Sequence, residues 1–436
     1  MLLPRGRFTP HLLFSLLLVL PSVYATSAQA QIGSHLPGMK PTEIKFFNNG
    51  KIQFNRVWGM KEGVGPVLTD GACLRCHNVP VIGGGSNRLL TFFGKTNPDG
   101  SFDPLDGSDA AGLNEGGLLL QPRSNQAFLQ NCSQGGEFIP LDANAIENRM
   151  APPTFGFGFI DAIADIDIQN QATFELNNYQ ADGIHGIANL VPTYYSAAPN
   201  KVGRFGRKAQ IANLVEMAAF AFAHDLGITN PLFLNEDLPQ GQPIDPNCVQ
   251  NSNVPNNNNG TSGGSGIFPL SHFMRYLAPA PLASCPNGAT DCAQGQAVFT
   301  TIGCDKCHKT TYTTPANVRV QTDLTGTSLP SPALSNQTAG LYSDLLLHDL
   351  GNADMGAIPE NQVNTGLATI TQWRTALLWG LQYRTHFMHS GGAVDLNTAI
   401  LGHSDGVTGE GVSVINNYKA LSASDQTALL DFLKTL

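Results

Sequence analysis

The sequence predicts a mostly α-helical protein with long loops. Apolar residues recur at helical spacing in 213–227, around Ala297 and Phe299, and in 421–436, whereas runs of alternating apolar and polar residues are sparse. Gly and Pro are abundant, at 46 and 28 of 436 residues. The stretch 246–266 is so rich in Asn, Gly and Ser that it cannot form a packed element. We therefore expect helices connected by long loops.

The first thirty residues have the pattern of an export signal. Arg5 and Arg7 precede a short apolar run at 11–20, and Ser27 to Ala30 read SAQA, the small-x-small pattern that a signal peptidase cuts. The apolar run is shorter than the ~18 residues that a membrane-spanning helix needs, and no other segment reaches that length. We expect cleavage near Ala30, no membrane span, and a periplasmic or secreted location.

The charge of the chain argues against nucleic acid as a partner. Charged residues are 13% of the sequence, the net charge is −9, and no basic run is present. Nucleic-acid-binding domains carry clustered Lys and Arg to neutralise phosphates. The composition instead predicts an exported protein with a polar, weakly charged surface.

Two predicted helices have recognisable features. The segment from Asn213 to Gly227 is apolar nearly all round, which predicts a buried helix. Ser422 and Asp425 stand three residues apart, as in a capping box, ahead of an apolar face that runs to Leu436. These helices lie on either side of the stretch 246–266, which separates a predicted N-terminal domain (31–265) from a predicted C-terminal domain (266–436).

Each part contains one Cys-x-x-Cys-His motif. The motifs are Cys73, Cys76 and His77, and Cys304, Cys307 and His308. Two Cys-x-x-Cys pairs can form a zinc site, but that leaves both histidines without a role, and 228 positions separate Cys76 from Cys304. A redox disulfide also leaves the histidines unexplained, and no βαβ pattern surrounds either pair.

Covalent c-type haem attachment accounts for every residue of both motifs. The two thiols add to the porphyrin vinyl groups, and the following histidine ligates the iron. Such attachment takes place outside the cytoplasm, which agrees with the predicted export signal. The sequence therefore predicts two covalently bound c-type haems, with His77 and His308 as iron ligands.

The other four cysteines are candidates for disulfides in an oxidising compartment. Cys285 and Cys292 bracket a short turn-like loop and are the preferred pair. Cys132 and Cys248 remain, but sequence alone does not determine the pairing of four cysteines.

With its motifs in order, the chain resembles the di-haem oxidoreductase family within the superfamily of bacterial di-haem cytochrome c peroxidases and MauG. The resemblance implies two cytochrome-c-like haem domains, the N-terminal haem peroxidatic and the C-terminal haem for electron transfer. The matching stretches, besides the two motifs, are 148–163, 202–210, 223–229, 342–351, 373–380 and 387–403.

This resemblance implies a periplasmic oxidoreductase that reduces hydrogen peroxide with electrons from a small donor protein of cytochrome or cupredoxin type. Two alternatives stay open. One is an oxidase of an organic or protein substrate, as MauG and the rubber oxygenases are, and the other is a non-catalytic di-haem electron carrier. An electron carrier needs both irons six-coordinate, whereas a catalyst needs one open or labile iron, so the sixth ligands distinguish them.

The resemblance places the sixth ligand of the C-terminal haem at His403. In the peroxidases this ligand follows, by fourteen residues, a histidine in a Phe-His-Ser-Gly-like stretch, and His403 follows His389 of FMHSGG by fourteen. Imidazole is a strong iron ligand. Met355 is the competing ligand, and we interpret His348, within LLLHDLG, as a hydrogen-bonded structural residue.

The resemblance also suggests the catalytic group of the N-terminal haem. In the peroxidases a catalytic Glu lies twenty residues after a Trp; alignment of FGRKA with the Trp-containing stretch places Phe205 on the Trp and Asp225 on the Glu. Asp225 would move a proton between the two peroxide oxygens, and Glu216 is the reserve candidate. Phe205 is much harder to oxidise than Trp, which puts electron hopping through that position in doubt.

Two expectations stay open. No histidine occurs between His77 and His185, so the N-terminal iron is either open at rest or reached by His185 from its glycine-rich loop. The superfamily also uses a Ca²⁺ ion between domains, but the sequence has no contiguous acidic loop that would identify its ligands.

Overall fold

The computed structural model describes residues 31–105, 118–194, 200–239, 242–249, 266–351 and 368–436. The predicted export signal and Met355 lie outside these ranges. The prediction of a mostly α-helical fold is wrong, because helix makes up 34% and strand 15%, which is a mixed fold.

The three helices predicted from sequence are confirmed, with others between them. Asn213 caps the helix that follows it by accepting hydrogen bonds from the amides of Val215 and Glu216. Ser422 likewise accepts a hydrogen bond from the amide of Asp425. The helices are α1 (Pro41–Asn55), α2 (Phe157–Ala162), α3 (Asp165–Asn178), α4 (Leu214–Leu226), α5 (Ile267–Tyr276), α6 (Ala289–Ile302), α7 (Leu396–Leu401), α8 (Val412–Lys419) and α9 (Ala423–Leu433).

The sequence did not predict the strands, because most of them are two or three residues long and therefore too short to show an alternating pattern. They are β1 (Val67–Leu68), β2 (Leu89–Thr96), β3 (Phe102–Asp103), β4 (Arg123–Ser124), β5 (Ala145–Met150), β6 (Leu190–Val191), β7 (Lys201–Val202), β8 (Tyr312–Thr313), β9 (Arg319–Gln321), β10 (Ser328–Pro330), β11 (Thr338–Ala339), β12 (Leu347–Asp349) and β13 (Gln372–Arg374).

The largest sheet has three antiparallel strands in the order β3, β2, β5, with Leu89 opposite Met150 and Gly94 opposite Ala145. The other strands form antiparallel pairs: β1 with β4, β6 with β7, β8 with β11, β9 with β10, and β12 with β13. These short pairs satisfy backbone hydrogen-bonding groups in segments that the sequence predicted as loops.

Two helix pairs, α1 with α5 and α6 with α9, each pack closely at a glycine of the first helix. A Cβ atom on Gly50 would clash with the carbonyl oxygen of Pro269, and one on Gly295 would clash with the carbonyl oxygen of Ala428. Glycine at these positions lets the helix backbones touch. Although α5 follows the 246–266 stretch, it packs on α1 and α4.

An aromatic residue four positions after each of these glycines continues the contact. The rings of Phe54 and Phe273 lie 4.7 Å apart between α1 and α5, and those of Phe299 and Phe432 lie 5.7 Å apart between α6 and α9. The spacing Gly-x-x-x-Phe is thus shared by both pairs. It puts one buried phenylalanine of each pair next to the chain that carries a Cys-x-x-Cys-His motif.

The cysteines divide into two groups. Cys285 pairs with Cys292, as predicted, and Cys132 pairs with Cys248, which resolves the pairing left open by the sequence. The four motif cysteines have free thiols. No helix in the described ranges is long and apolar enough to cross a membrane.

The helix contact at Gly295 gives a test of this packing. We expect Gly295→Ala to lower the free energy of unfolding by about 1–3 kcal/mol through overpacking against Ala428, despite the better helix propensity of Ala by about 1 kcal/mol. Gly340→Ala is the control, because a Cβ there has no neighbour within 4 Å. Denaturant unfolding of the intact holoprotein measures both. Equal stability of the two variants would refute the close contact.

Candidate functional site

The C-terminal motif begins where α6 ends. Gly303 has a φ of 96°, which turns the chain from α6 into a single 3₁₀ turn at Cys304–Lys306. His308 then donates a hydrogen bond from Nδ1 to the carbonyl oxygen of Tyr342, over 2.8 Å. This bond fixes the ring and its tautomer, and leaves Nε2 as the nitrogen with a lone pair for a metal.

His403 faces His308 across a cavity. It lies just after α7, and its Nδ1 donates to the carbonyl oxygen of Ala399 over 2.8 Å, so its Nε2 is likewise left for a ligand. The two ring centroids are 6.3 Å apart, and the ring planes are inclined by 66°. Since metal–imidazole bonds are about 2 Å long, this spacing leaves room for one metal ion bound to both rings.

The cavity between the two histidines fits a planar apolar group that carries carboxylates. Cys304 and Cys307 line it together with apolar side chains and three arginines, and arginine is the preferred partner of carboxylates. Burial lowers the pKa of Arg374 and Arg384 to about 10, so both stay charged at neutral pH. The lining includes Phe299, Leu381, Leu433, Arg207, Arg374 and Arg384.

His348 is buried at the edge of the same cavity and is held by carboxylates. Its Nδ1 lies 2.6 Å from Glu410 Oε2, and its Nε2 lies 2.9 Å from Asp344 Oδ2. The prediction of a hydrogen-bonded structural histidine is confirmed. Both ring nitrogens of His348 are thus engaged by protein groups. Burial and, after it, the charge of Asp344 also raise the pKa of the nearby carboxyl group of Glu175 to about 7.

The N-terminal motif repeats the local geometry of the C-terminal one. Cys73–Arg75 form a single 3₁₀ turn, and His77 donates from Nδ1 to the carbonyl oxygen of Gly84 over 3.2 Å. Phe54 of α1 lies 5.9 Å from the His77 ring, as Phe299 of α6 lies 6.4 Å from His308. The C-terminal motif therefore fits an iron ligated through Nε2 and a porphyrin linked to two cysteines, and the N-terminal motif shares its 3₁₀ turn and its tethered histidine.

Asp225 lies beside the N-terminal motif, at the end of α4. Its carbonyl oxygen accepts hydrogen bonds from the amides of Thr69 and Asp70, which ties α4 to the segment leading into Cys73. Burial and then the charge of Asp225 raise the pKa of Cys73 to about 12 and that of Cys76 to about 11. Burial also raises the pKa of Asp225 itself to about 6.

Glu216 lies elsewhere on α4. Nine residues separate it from Asp225, which places the two about 13 Å apart along the axis and on opposite faces of the helix. Its side chain is fully buried, and Oε1 accepts a hydrogen bond from the amide of Tyr194 over 2.9 Å. Burial raises the pKa of Glu216. The structure therefore brings Asp225, and not Glu216, next to the N-terminal motif.

Two other candidate residues lie away from the N-terminal motif. Phe205 is buried and packs on Phe157, with 5.4 Å between ring centroids. His185 is exposed, and its amide donates to Glu410 Oε2 over 3.0 Å, so it lies on the side of the C-terminal cavity. Among the described residues, both clusters close enough to share a metal ion contain a cysteine, and neither is the oxygen-only set that Ca²⁺ prefers.

Sequence reasoning missed two groups near these sites. One is a stack of Trp373 on His389, with centroids 3.4 Å apart and Lys208 Nζ 3.4 Å from the Trp373 ring centroid. The other joins His224, next to Asp225, with Asp237. In both, the partners come from separate segments, and no spacing in the sequence indicates that they meet.

Comparison with known proteins identifies the class. A model of the family described as di-haem oxidoreductase, putative peroxidase, matches residues 141–436, which is more than half of the chain. The chain therefore belongs to this family of haem oxidoreductases. The matched region contains Asp225, the C-terminal motif and His403, and the N-terminal motif precedes it.

The other comparisons add little. No curated protein matches the chain. Among solved structures it is similar to hydrazine synthase of Kuenenia stuttgartiensis pressurised with xenon, at 12% identity and a TM-score of 0.38, with 99% of this chain and 100% of that chain covered. A score this low carries no argument about fold or function.

The facing pair His308 and His403 predicts the spin state of one haem. His403→Ala should convert one low-spin iron to high-spin, because removal of a strong imidazole ligand weakens the ligand field, while the other haem signal is unchanged. EPR of the oxidised protein measures this. His386→Ala is the matched control, since His386 lines the same cavity but bonds to Thr385. An unchanged spectrum for His403→Ala would refute the assignment.

Proposed function

We propose that this protein is a periplasmic di-haem c-type peroxidase. It reduces hydrogen peroxide at the N-terminal haem, with electrons that arrive through the C-terminal haem. The observation that carries this proposal is the difference between the two sites: a second imidazole faces His308, whereas a half-buried carboxylic acid, Asp225, lies beside the N-terminal motif.

The state of the cysteines supports covalent attachment. In an exported protein, cysteines that are free to pair form disulfides. Four cysteines do so here, whereas Cys73, Cys76, Cys304 and Cys307 have free thiols at motifs with haem-attachment spacing. In this proposal those four thiols form the thioether links, and His77 and His308 ligate the irons through Nε2.

The C-terminal site suits electron transfer. Iron held by His308 and His403 would have no position left for peroxide, and two imidazoles would give it a lower potential than a His/Met pair. A small soluble redox protein, of cytochrome or cupredoxin type, would deliver electrons to this haem. That donor follows from the resemblance of the motifs, and the predicted export signal supports a periplasmic location.

The N-terminal site suits proton transfer to peroxide. When bound, a haem at this motif would supply the redox chemistry for cleavage of the oxygen–oxygen bond. Asp225, with a pKa near 6, is ionised at neutral pH and can accept a proton from one peroxide oxygen and return it to the other. His77 would ligate the iron of this haem, and its Nδ1 bond to the carbonyl oxygen of Gly84 would orient the ring.

A paired comparison tests the role of Asp225. Asp225→Asn should slow the reaction with hydrogen peroxide by about 10²–10⁴, the usual loss for a positioned acid–base group, while mass spectrometry still finds two haems. Glu216→Gln should do far less, because Glu216 lies on the opposite face of α4. Stopped-flow mixing with peroxide measures both rates.

Three outcomes of that comparison argue against the proposal. If Glu216→Gln is the inactive variant, Asp225 has no catalytic role and the assignment passes to Glu216. If neither variant slows a wild type that reacts rapidly, a different group moves the proton. If the wild type also reacts sluggishly, the peroxidase proposal fails and a di-haem electron carrier is favoured.

The pKa of Asp225 predicts the pH dependence of the same reaction. Because the ionised carboxylate accepts the proton, the peroxide rate should fall tenfold per pH unit below about pH 6, rather than below about 4 as for an exposed aspartate. A stopped-flow series across this range measures the decline. Asp225→Asn should abolish it, and persistence of the same decline in that variant would assign it to another group.

A further inference from the structure

We propose that a buried cluster of one histidine and three acidic residues beside the C-terminal motif takes up one proton when the haem bound there is reduced. This His348 cluster consists of His348, Glu175, Asp344 and Glu410, each at most 9% exposed. The electron comes from the donor protein and the proton from solvent. The inference rests on the haem attachment and ligation in the proposed function, but not on peroxide as the substrate.

His348 stands at the centre of the cluster. Its Nδ1 lies 2.6 Å from Glu410 Oε2, and its Nε2 lies 2.9 Å from Asp344 Oδ2. The same Nε2 is 3.7 Å from Glu175 Oε2. An ionised carboxylate accepts hydrogen bonds but cannot donate them, so a ring that bonds to carboxylates through both nitrogens is the imidazolium cation. One cation therefore faces three carboxyl groups.

The charges of the cluster do not balance while all three carboxyl groups are ionised, and unbalanced charge is costly in a protein interior. Glu175 is the member that can relieve the imbalance, because it lies furthest from the imidazolium. Its oxygens accept hydrogen bonds from the amide of Gly186 and from Gln171 Nε2, each over 2.9 Å. Since the pKa of Glu175 is about 7, this group exchanges a proton near neutral pH.

The His348 cluster forms part of the wall of the cavity between His308 and His403, which His348 and Glu410 both line. His348 Nδ1 also lies 3.6 Å from Cys307 Sγ, the sulfur that would form a thioether link. The amide of Asp344 donates to the carbonyl oxygen of Cys307 over 3.0 Å. A change of charge in the cavity therefore acts on the cluster at short range and in a medium of low dielectric constant.

Titratable groups on other elements also face the cluster. They are Tyr179, Tyr312, Arg374, Cys307 and His308. Burial raises the pKa of both tyrosines, so they stay neutral, and Arg374 stays charged. In the proposed function Cys307 is a thioether and His308 an iron ligand, so neither exchanges a proton. Glu175 is thus the group that the inference invokes.

The loop 183–187 covers the cluster. The amides of His185 and Gly186 donate to Glu410 Oε2 and Glu175 Oε2 over 3.0 and 2.9 Å. A Cβ atom on Gly186 would lie 2.7 Å from the His348 ring, so glycine lets the loop close on the cluster. The side chain of His185 is exposed. The loop therefore has one side on the buried carboxylates and the other on solvent, the source of the proton.

Redox titration of the holoprotein at a series of pH values tests the inference. The midpoint potential of the low-spin haem should fall as the pH rises through about 7, because protonation of Glu175 favours the reduced haem. One proton per electron changes the reduction equilibrium at most tenfold per pH unit, which is about 59 mV for a one-electron couple. Spectroelectrochemistry measures the potential, and EPR identifies the low-spin haem.

Three variants identify the group that binds the proton. Glu175→Gln should make the potential independent of pH in this range, since glutamine has the shape of the protonated acid but cannot ionise. Asp344→Asn should move the decline to lower pH, because loss of that charge lowers the pKa of Glu175. Glu216→Gln is the matched control and should behave as the wild type, because Glu216 is also a fully buried carboxylate but is bonded to the amide of Tyr194.

The outcomes distinguish this inference from the proposed function. A wild-type potential that does not change with pH refutes proton uptake, while the haem ligation stands. A decline that persists in Glu175→Gln also refutes it and places the proton on another group, such as a haem propionate. If Glu175→Gln does not fold, an unshifted decline in Asp344→Asn refutes it instead. If the oxidised protein has no low-spin haem, ligation by His308 and His403 fails and the inference fails with it.

Discussion

The contact between two helix backbones at a glycine is the constraint on which each Cys-x-x-Cys-His motif depends. Gly50 lets α1 touch α5, and Gly295 lets α6 touch α9. The phenylalanine four residues after each glycine, Phe54 or Phe299, packs on the partner helix and also lies near the ring of the motif histidine. Each motif therefore starts from a rigid base, and the backbone carbonyl that receives Nδ1 of the histidine fixes the ring.

The two sites share this local geometry but differ in the side chain that another helix places near each motif. At the C-terminal site the short helix α7 presents His403, tethered through Nδ1 in the same manner as His308. At the N-terminal site the long apolar helix α4 presents a carboxylate from its last turn. In the proposed function the second imidazole would take a coordination position, whereas the carboxylate would accept a proton, so the repeated motif would support two different chemistries.

The sequence predicted what local patterns determine and missed what the tertiary structure determines. Helices α4, α6 and α9 follow from apolar spacing and caps, and both motifs follow from their spacing. The two-residue strands do not, since they carry no periodicity, and the predicted mostly α-helical class was wrong for that reason. The sequences of both α1 and α6 contain Gly-x-x-x-Phe, but only the structure shows that this spacing marks a close helix contact.

The two acidic residues of α4 illustrate where sequence reasoning needs geometry. Both Glu216 and Asp225 are carboxylates on one buried helix, and burial raises the pKa of each. Burial alone therefore cannot separate a structural carboxylate from a reactive one. The separation comes from their surroundings: a backbone amide engages one carboxylate oxygen of Glu216, whereas Asp225 is tied to the segment that leads into Cys73, where its charge raises the pKa of both motif thiols. Its place beside the Cys-x-x-Cys-His motif, and not its burial, is therefore what distinguishes Asp225 as the proposed proton acceptor.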